Sequence, residues 1–278
     1  MSVINTNVSA LYSQNAMKTN ARAMSTVMEQ LSTGTRVNSA KDDAAGLAIG
    51  QNMTSQIRGL NMAVRNINDG INMLQTAEGA MIEQTNMLQR MRELAVQAAT
   101  GTLSNVQRGY LDLEYQALVA QIDKITTETK WNDQNLLTGT GGSGSGAFTY
   151  QVGQASGNTI AVTISSMSIG TLGLSSTGSA ITDVTKATAG IAAVGAALEK
   201  INVQRAALGA AINQLAFAGD NVTNIASNTT QSRSTIMDTD YALATTQLAK
   251  AQIIQQAATA MLAQANQQPQ GVMALLKG

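Results

Sequence analysis

The chain has 278 residues and a mass of 28.9 kDa, with 17 basic and 17 acidic residues, one proline, eight aromatics, and neither histidine nor cysteine. That length is enough for one large or two small domains. Zero formal net charge and 12% charged residues argue against nucleic acid as a partner, because a phosphate backbone recruits clustered Lys and Arg. Without His and Cys there is no disulfide, thiolate nucleophile, Ser-His-Asp triad or ordinary zinc site, so neither an enzyme of those kinds nor a cofactor is expected.

The opening Met1 to Ala10 has no basic n-region and no apolar h-region, unlike a cleaved secretory signal. The longest uncharged stretch, Gln134 to Thr182, is rich in Gly, Ser and Thr and does not read as a membrane span. Residues 4–31 carry Ile4, Val8, Leu11, Met17, Met24, Val27, Met28 and Leu31, an amphipathic helix with no obvious third partner within the chain. Short amphipathic helices are marginal alone in water, so the two ends of the chain are expected to be ordered by other copies.

The next element is the longest. Met53, Ile57, Leu60, Val64, Ile67, Ile71 and Leu74 step alternately by four and three, and Met81 and Leu88 continue one of the two rows. A 3.5-residue apolar repeat is the signature of coiled-coil packing. From Asp43 to Ala99 such a helix would be about 85 Å long, which implies a rod. After a break at Thr100-Gly-Thr, the residues Leu111, Tyr115, Leu118, Ile122 and Ile125 repeat the spacing as far as the polar stretch Thr126 to Lys130.

Residues 138–186 hold 10 of the 24 glycines and one acidic residue, Asp183. Here the period changes to two: Phe148, Tyr150 and Val152 alternate with polar residues, as do Ile160, Val162 and Ile164, with turn chemistry from Gly153 to Asn158. One or two small β-hairpins are predicted. Gly139 to Gly146 reads as a flexible linker by composition. Its match to G-x-G-x-x-G carries little, because no strand leads in and no helix follows.

A third seam follows in Ile191, Val194, Leu198, Ile201, Leu208, Ile212, Leu215 and Val222, with Arg205 and Gly219 at two positions that should be apolar. Tyr241, Leu248, Ile254, Met261 and Leu262 mark a last helix, and the only proline, Pro269, lies beyond them. The fold class is therefore mainly α: a long antiparallel helical bundle or coiled coil built from both termini, with a small β-hairpin region in mid-chain. The expected domains are 1–42 with 236–278, 43–137 with 187–235, and the short insert 138–186.

Few residues carry chemistry. Asp42 and Asp43 precede one apolar-periodic run and Asp238 with Asp240 precedes another, where acidic residues favour a helix N-terminus; capping outweighs acid-base or metal chemistry at both. Four Asn-x-Ser/Thr triplets, at Asn7, Asn52, Asn221 and Asn228, fall on predicted seams or helix ends, where chance is the better explanation. Ser143, Ser145, Ser175, Ser176 and Thr177 in the insert are better placed to accept sugar. The segment Leu88-Gln-Arg-Met-Arg-Glu-Leu-Ala-Val-Gln97 concentrates charge in a charge-poor chain, as a solvated helix face or as a contact surface between packed rods or with a partner. Periodicity does not choose between these.

Three long motifs then carry a resemblance. Ile4-Asn-Thr-Asn-Val-Ser-Ala-Leu11, the run from Leu31-Ser-Thr-Gly-Thr-Arg-Val-Asn to Ala-Gly-Leu-Ala-Ile49, and Ala249-Lys-Ala-Gln-Ile-Ile-Gln-Gln-Ala-Ala258 with Leu262-Ala-Gln-Ala-Asn266 closely resemble bacterial flagellin over roughly 1–137 and 187–278. The resemblance implies that 1–42 with 236–278 forms the inner tube of the flagellar filament and that 43–137 with 187–235 forms the next shell. The short insert makes it look like a minimal form. Assembly helices would bury Ile4, Val8, Leu11, Leu31, Leu248, Ile254 and Leu262.

The resemblance further implies an extracellular filament, export without a cleaved signal peptide through a type III apparatus, and four kinds of partner. These are other copies of the chain, the filament cap and hook-filament junction proteins, a cytoplasmic export chaperone on the C-terminal helix, and the flagellin-sensing Toll-like receptor of hosts. No nucleic acid and no membrane belong to that set. Leu88, Gln89, Arg90, Leu94 and Glu114 match positions that related flagellins use for the receptor and between protofilaments. Leu275 and Leu276 match an end detected by cytosolic inflammasome receptors in some flagellins, although the finish Leu-Leu-Lys-Gly departs from it. Three competitors are a hook-filament junction protein, an enzyme displayed on a filament, and a purely adhesive or immune-ligand role that could coexist with assembly. The second needs an H-E-x-x-H helix, which a chain without histidine lacks.

Overall fold

A chain with no proline before Pro269 can run in uninterrupted helix, and two of its helices exceed fifty residues. In the computed structural model the described residues are 6–175 and 180–276, with side chains as far as Gln267. Ile4 and the sugar-acceptor candidates Ser176 and Thr177 lie outside them, as do the side chains of Leu275 and Leu276. Six helices and four short strands follow in order: α1 Val8–Thr33, α2 Ala44–Ala99, α3 Asn105–Glu128, β1 Lys130–Trp131, β2 Gln134–Asn135, β3 Ala147–Gln151, β4 Thr159–Thr163, α4 Ile169–Leu172, α5 Val184–Met237 and α6 Tyr241–Leu276. The mainly helical fold with small antiparallel strand pairs in mid-chain is the one read from the sequence. α6 runs on through Pro269.

Polar side chains start the helices. Asn7 accepts a hydrogen bond from the Ala10 amide at 3.1 Å, and Ser104 with Gln107 closes a capping box ahead of α3. Asp43 accepts from the Gly46 amide at 2.8 Å, and Asp240 from the amides of Ala242 and Leu243 at 2.9 and 3.2 Å. Asp42 instead accepts from the Ser39 amide and hydroxyl, and the Ser39 hydroxyl holds its carboxyl below the usual range. Asp238 is engaged through its backbone, in an antiparallel bridge with Thr35.

The chain forms two compact units, residues up to 55 with those from 228 onward, and residues 56–227. The core of the second draws on α2, α3, α5 and the mid-chain strands. In α2 the row Leu60, Ile67, Leu74, Met81, Leu88 and Ala95 is buried throughout, as one expected seam row requires. The other expected row, Ile57, Val64 and Ile71, is only half-buried. Its place in the core is taken by Ala63, Gly70, Ala77, Gln84, Met91 and Ala98, also seven apart. α5 repeats the correction: Val194, Ile201, Leu208, Leu215 and Val222 are buried, Ile191, Leu198 and Ile212 are half-buried, and Gly190, Ala197, Gln204 and Ala211 complete the inner face. The small residues leave room for neighbouring side chains, Gly70 for the Tyr150 ring and Gly190 for Ile181.

The two unexpected positions on the α5 seam are thereby explained. Arg205 belongs to the half-buried row and pairs with Glu78 of the matching α2 row at 3.8 Å, and Ile67 packs over Gly219. Arg108 was not singled out by pattern, yet it is buried: its guanidinium donates to the carbonyls of Ala98 and Thr100, both at 2.8 Å, and to Asn105 at 2.9 Å. It thereby satisfies carbonyls that the end of α2 leaves without helical partners.

Strands β3 and β4 pair antiparallel with Phe148 opposite Val162 and Tyr150 opposite Ile160, the hairpin expected from the alternation. A second ladder, β1 with β2, was expected nowhere. It turns on Asn132 and Asp133, both at positive φ, inside a stretch assigned from sequence to the helical bundle. Gly139 to Gly146 is not a flexible linker: Ser143 N donates to Ala147 O, Gly146 N to Gly141 O, and Ile164 N to Gly146 O. The Phe148 ring lies where a Cβ on Gly141 would stand, so glycine there makes room for the hairpin. Two buried amides tie the returning segment to the helices. Gln204 donates to Thr163 O at 3.1 Å and accepts from Ser165 N at 3.3 Å, and Gln84 donates to Thr126, whose hydroxyl lies 3.0 Å from Met167 O.

Tyr150 fixes the hairpin on α2, its ring against Gly70 and its hydroxyl 3.6 Å from Met73 Sδ. Burial pushes this phenol up to about 12 from its ordinary 10.0. The folded chain keeps the proton to higher pH than the unfolded chain, so this contribution is intact below pH 10 and is lost between pH 10 and about 12. Urea unfolding across that window is expected to show a shallower alkaline loss of stability in Tyr150→Phe than in the parent. Parallel pH curves would contradict it.

Candidate assembly faces and the Arg90 surface

In the first unit α1 and α6 run antiparallel. The Asn7 side chain donates to Ala265 O at 2.7 Å, Asn20 donates to Ala251 O at 2.8 Å and to Gln255 at 3.2 Å, and the Tyr241 hydroxyl donates to Leu31 O at 3.3 Å. The covered seam of α6 is Ala244, Leu248, Ala251, Gln255, Ala258, Leu262 and Ala265, again stepping by four and three. That of α1 is Ala10, Ser13, Met17, Asn20, Met24 and Val27. Alanines and amides alternate there with Met17, Met24, Val27, Leu248 and Leu262 in a hydrogen-bonded seam. The turn between the halves of this unit is held by Arg36, whose amide and guanidinium donate to the carbonyls of Met237 and Ile236, both at 2.6 Å.

Other large apolar side chains are left on the outside. Val8, Leu11, Tyr12 and Met28 of α1 and Tyr241, Leu243, Ile253, Ile254 and Met261 of α6 are exposed. The expected assembly residues therefore divide: Leu31, Leu248 and Leu262 are half-buried, whereas Val8, Leu11 and Ile254 face outward.

The second unit repeats the arrangement. α3 buries Arg108, Tyr115, Val119, Ile122 and Thr126, while Val106, Tyr110 and Leu113 stand on the opposite face, each about two-thirds exposed or more at 67, 67 and 71%. On α5, Val203 and Phe217 likewise point away from the buried row, at 65 and 74%. The spacing 106, 110, 113 is itself a four-three step, a signal present in the sequence but obscured by the overlapping inner seam. A helix that is apolar on both faces is ordinarily buried on both.

The charged segment of α2 straddles core and surface. Leu88, Met91, Leu94, Ala95 and Ala98 are buried, and Gln89, Arg90, Arg92, Glu93, Val96 and Gln97 are exposed. Leu88 and Leu94, expected among the contact residues, thus lie in the core and set the helix that presents the others. Arg90 joins two helices: its Nε donates to Glu114 of α3 at 2.9 Å and its Nη1 to Glu93 at 3.0 Å. The hydrogen bond with Glu114, then that with Glu93, raises the guanidinium pKa still further. Both partners are solvated, so the geometry gives a fixed charge pattern more than stability. Beside it, Gln89, Arg92, Glu93, Val96, Gln97 and Thr100 line an open groove closed on one side by Leu198.

Among the described residues no group of His, Cys, Asp or Glu is placed to hold a metal ion, and no helix is long and apolar enough to cross a membrane. Gly139 to Gly144 folds as part of the hairpin entry rather than opening a helix as a dinucleotide loop would.

Comparison with known proteins agrees with this architecture. The family model for the bacterial flagellin N-terminal helical region matches residues 4–141, and that for the C-terminal helical region matches residues 191–276. A flagellin of Halalkalibacterium halodurans is 40% identical over 275 residues, covering 99% of this chain and 100% of the relative. A flagellar filament 33 kDa core protein of Treponema phagedenis is 39% identical over 285 residues, with 99% and 100% covered. The crystal structure of Bacillus cereus flagellin aligns with a TM-score of 0.50 and 32% identity over 59% of this chain and 94% of that one. With helices from both ends packed together, small strand pairs between them, and family matches over both helical regions, the chain belongs to the bacterial flagellin family.

Proposed function

We propose that the chain is a structural subunit that polymerises into a bacterial flagellar filament, and is not an enzyme. The observation that carries this reading is the set of apolar side chains exposed on α1, α3, α5 and α6 opposite their buried faces. A monomer gains nothing from them, whereas a helical array of identical copies removes them all from water. The relatives bear filament names along their whole length, which disfavours a hook-filament junction protein.

In this reading residues 1–42 with 236–278 form the inner tube, residues 43–137 with 187–235 form the surrounding shell, and 138–186 is a short insert. The filament is extracellular, reached through a type III export apparatus without a cleaved signal peptide. The chain meets an export chaperone through its C-terminal helix, and joins the filament at the distal end under the cap, above the junction proteins. Aspartate at outward positions, Leu11→Asp with Ile254→Asp, is expected to leave monomer helicity intact and to abolish elongation from flagellar seeds followed by electron microscopy. Filaments growing at the parental rate would overturn the reading.

The Arg90 surface has a second use in this proposal. Gln89, Arg90 and Glu114 present a fixed pattern on the monomer that the host's flagellin-sensing Toll-like receptor reads, with Leu88 and Leu94 holding the helix in place. Leu275 and Leu276 are the corresponding candidates for inflammasome receptors. Arg90→Ala is expected to weaken signalling in receptor-bearing cells more than Arg58→Ala, measured with monomer of equal helicity. Equal responses would remove the receptor assignment and leave the filament assignment standing.

A further inference from the structure

We propose that Met28 and Met261 are sites of reversible oxidation through which peroxide blocks assembly; this rests on the filament reading above. With 14 methionines and no cysteine, thioethers are the oxidisable sulfur of this chain. The structure sorts them by access. Met73, Met81, Met91 and Met167 lie in the core of the second unit at 5% exposure or less, whereas Met62 of α2 is exposed at 47% and, in the first unit, Met28 and Met261 at 52 and 63%.

Those two belong to the faces that assembly would cover. The antiparallel pairing fixed by Asn7 with Ala265 and Asn20 with Ala251 sets Met261 level with Leu11 and Met28 level with Leu243 and Ala244. Leu11 and Leu243 are themselves exposed. Each methionine is therefore level with a large outward aliphatic, one toward each end of the helix pair.

The oxidant is hydrogen peroxide. The thioether sulfur lone pair attacks one peroxide oxygen, an S–O bond forms as the O–O bond breaks, and the hydroxide released takes up the remaining proton as water. Sulfur is oxidised to the sulfoxide and peroxide is reduced. The S=O group is a strong acceptor, and in an apolar contact with no donor its desolvation goes uncompensated. Monomers carrying it would fold as before and fail to join a filament until the sulfoxides are reduced.

The test treats full-length monomer with hydrogen peroxide, locates sulfoxide by peptide mass spectrometry, and follows elongation from untreated seeds. Met28 and Met261 are expected to oxidise ahead of Met73, Met81, Met91 and Met167, and elongation to slow by about tenfold or more. The Met28→Leu, Met261→Leu variant is expected to elongate equally with and without peroxide. Methionine sulfoxide reductases of both epimer specificities are expected to restore the oxidised parent. Oxidised monomer that elongates at the untreated rate, a treated variant slowed as much as the parent, or reduced sulfoxides without recovery would each overturn the proposal. Untreated monomer that fails to elongate would instead overturn the filament reading beneath it.

Discussion

The structure depends on helices that carry apolar residues on two opposite sides. Along the inner side, small residues at multiples of seven, Ala63, Gly70 and Ala77 in α2 and Gly190, Ala197 and Ala211 in α5, stand beside the larger row, and Gly70 and Gly190 leave room for the side chains of Tyr150 and Ile181. Along the outer side, Val106, Tyr110 and Leu113 or Val203 and Phe217 have nothing of their own unit to cover them. Each Leu, Ile or Phe side chain fully removed from water contributes roughly 1.5 to 3 kcal/mol. The first unit shows the same division: its seam mixes alanines and amides with Met17, Met24, Leu248 and Leu262, while Leu11, Leu243, Ile253 and Ile254 face out.

This distribution sets the order of events in the proposed assembly. The second unit has a continuous core and needs no neighbour to exclude water from Leu74, Met81 or Tyr115. Among the described residues the helix pair α1 and α6 fully buries mostly Ala, and conformational entropy opposes it. Its ordering is therefore coupled to burial against other copies. Such a step favours growth from an existing end over spontaneous nucleation.

Much of this architecture was legible in the sequence, because period 3.5 and the absence of proline leave few alternatives. One buried row in α2 and one in α5 fall where the heptads place them. The second rows were misassigned because large aliphatics at Ile57, Val64, Ile71, Ile191 and Leu198 drew the eye, whereas tight packing selects the smaller side chain. The β1 and β2 ladder escaped because two-residue strands have no measurable period and their turn rests on two left-handed residues, Asn132 and Asp133. The glycine run looked flexible by composition, yet close approach of Phe148 and a set of backbone hydrogen bonds give it a defined path. Arg108, Gln84 and Gln204 were invisible because their partners are carbonyls, one backbone amide and one hydroxyl, brought near by the fold.

Of the surface residues matched by resemblance, Arg90 and Glu114 meet across α2 and α3 in one ion pair, and Gln89 lines the neighbouring groove toward Leu198. Leu88 and Leu94 share their segment and not their exposure. A ten-residue motif on a helix necessarily contains both faces, and only burial separates those that hold the surface from those that form it.

Hydrogen exchange measured by mass spectrometry on monomer and on seeded filament tests the central claim most directly. The account predicts that amides of α1 and α6 exchange much faster in the monomer than those of the buried stretches of α2 and α5, and that they become strongly protected in the filament. Protection of α1 and α6 that is already as high in the monomer, and unchanged on assembly, would contradict it.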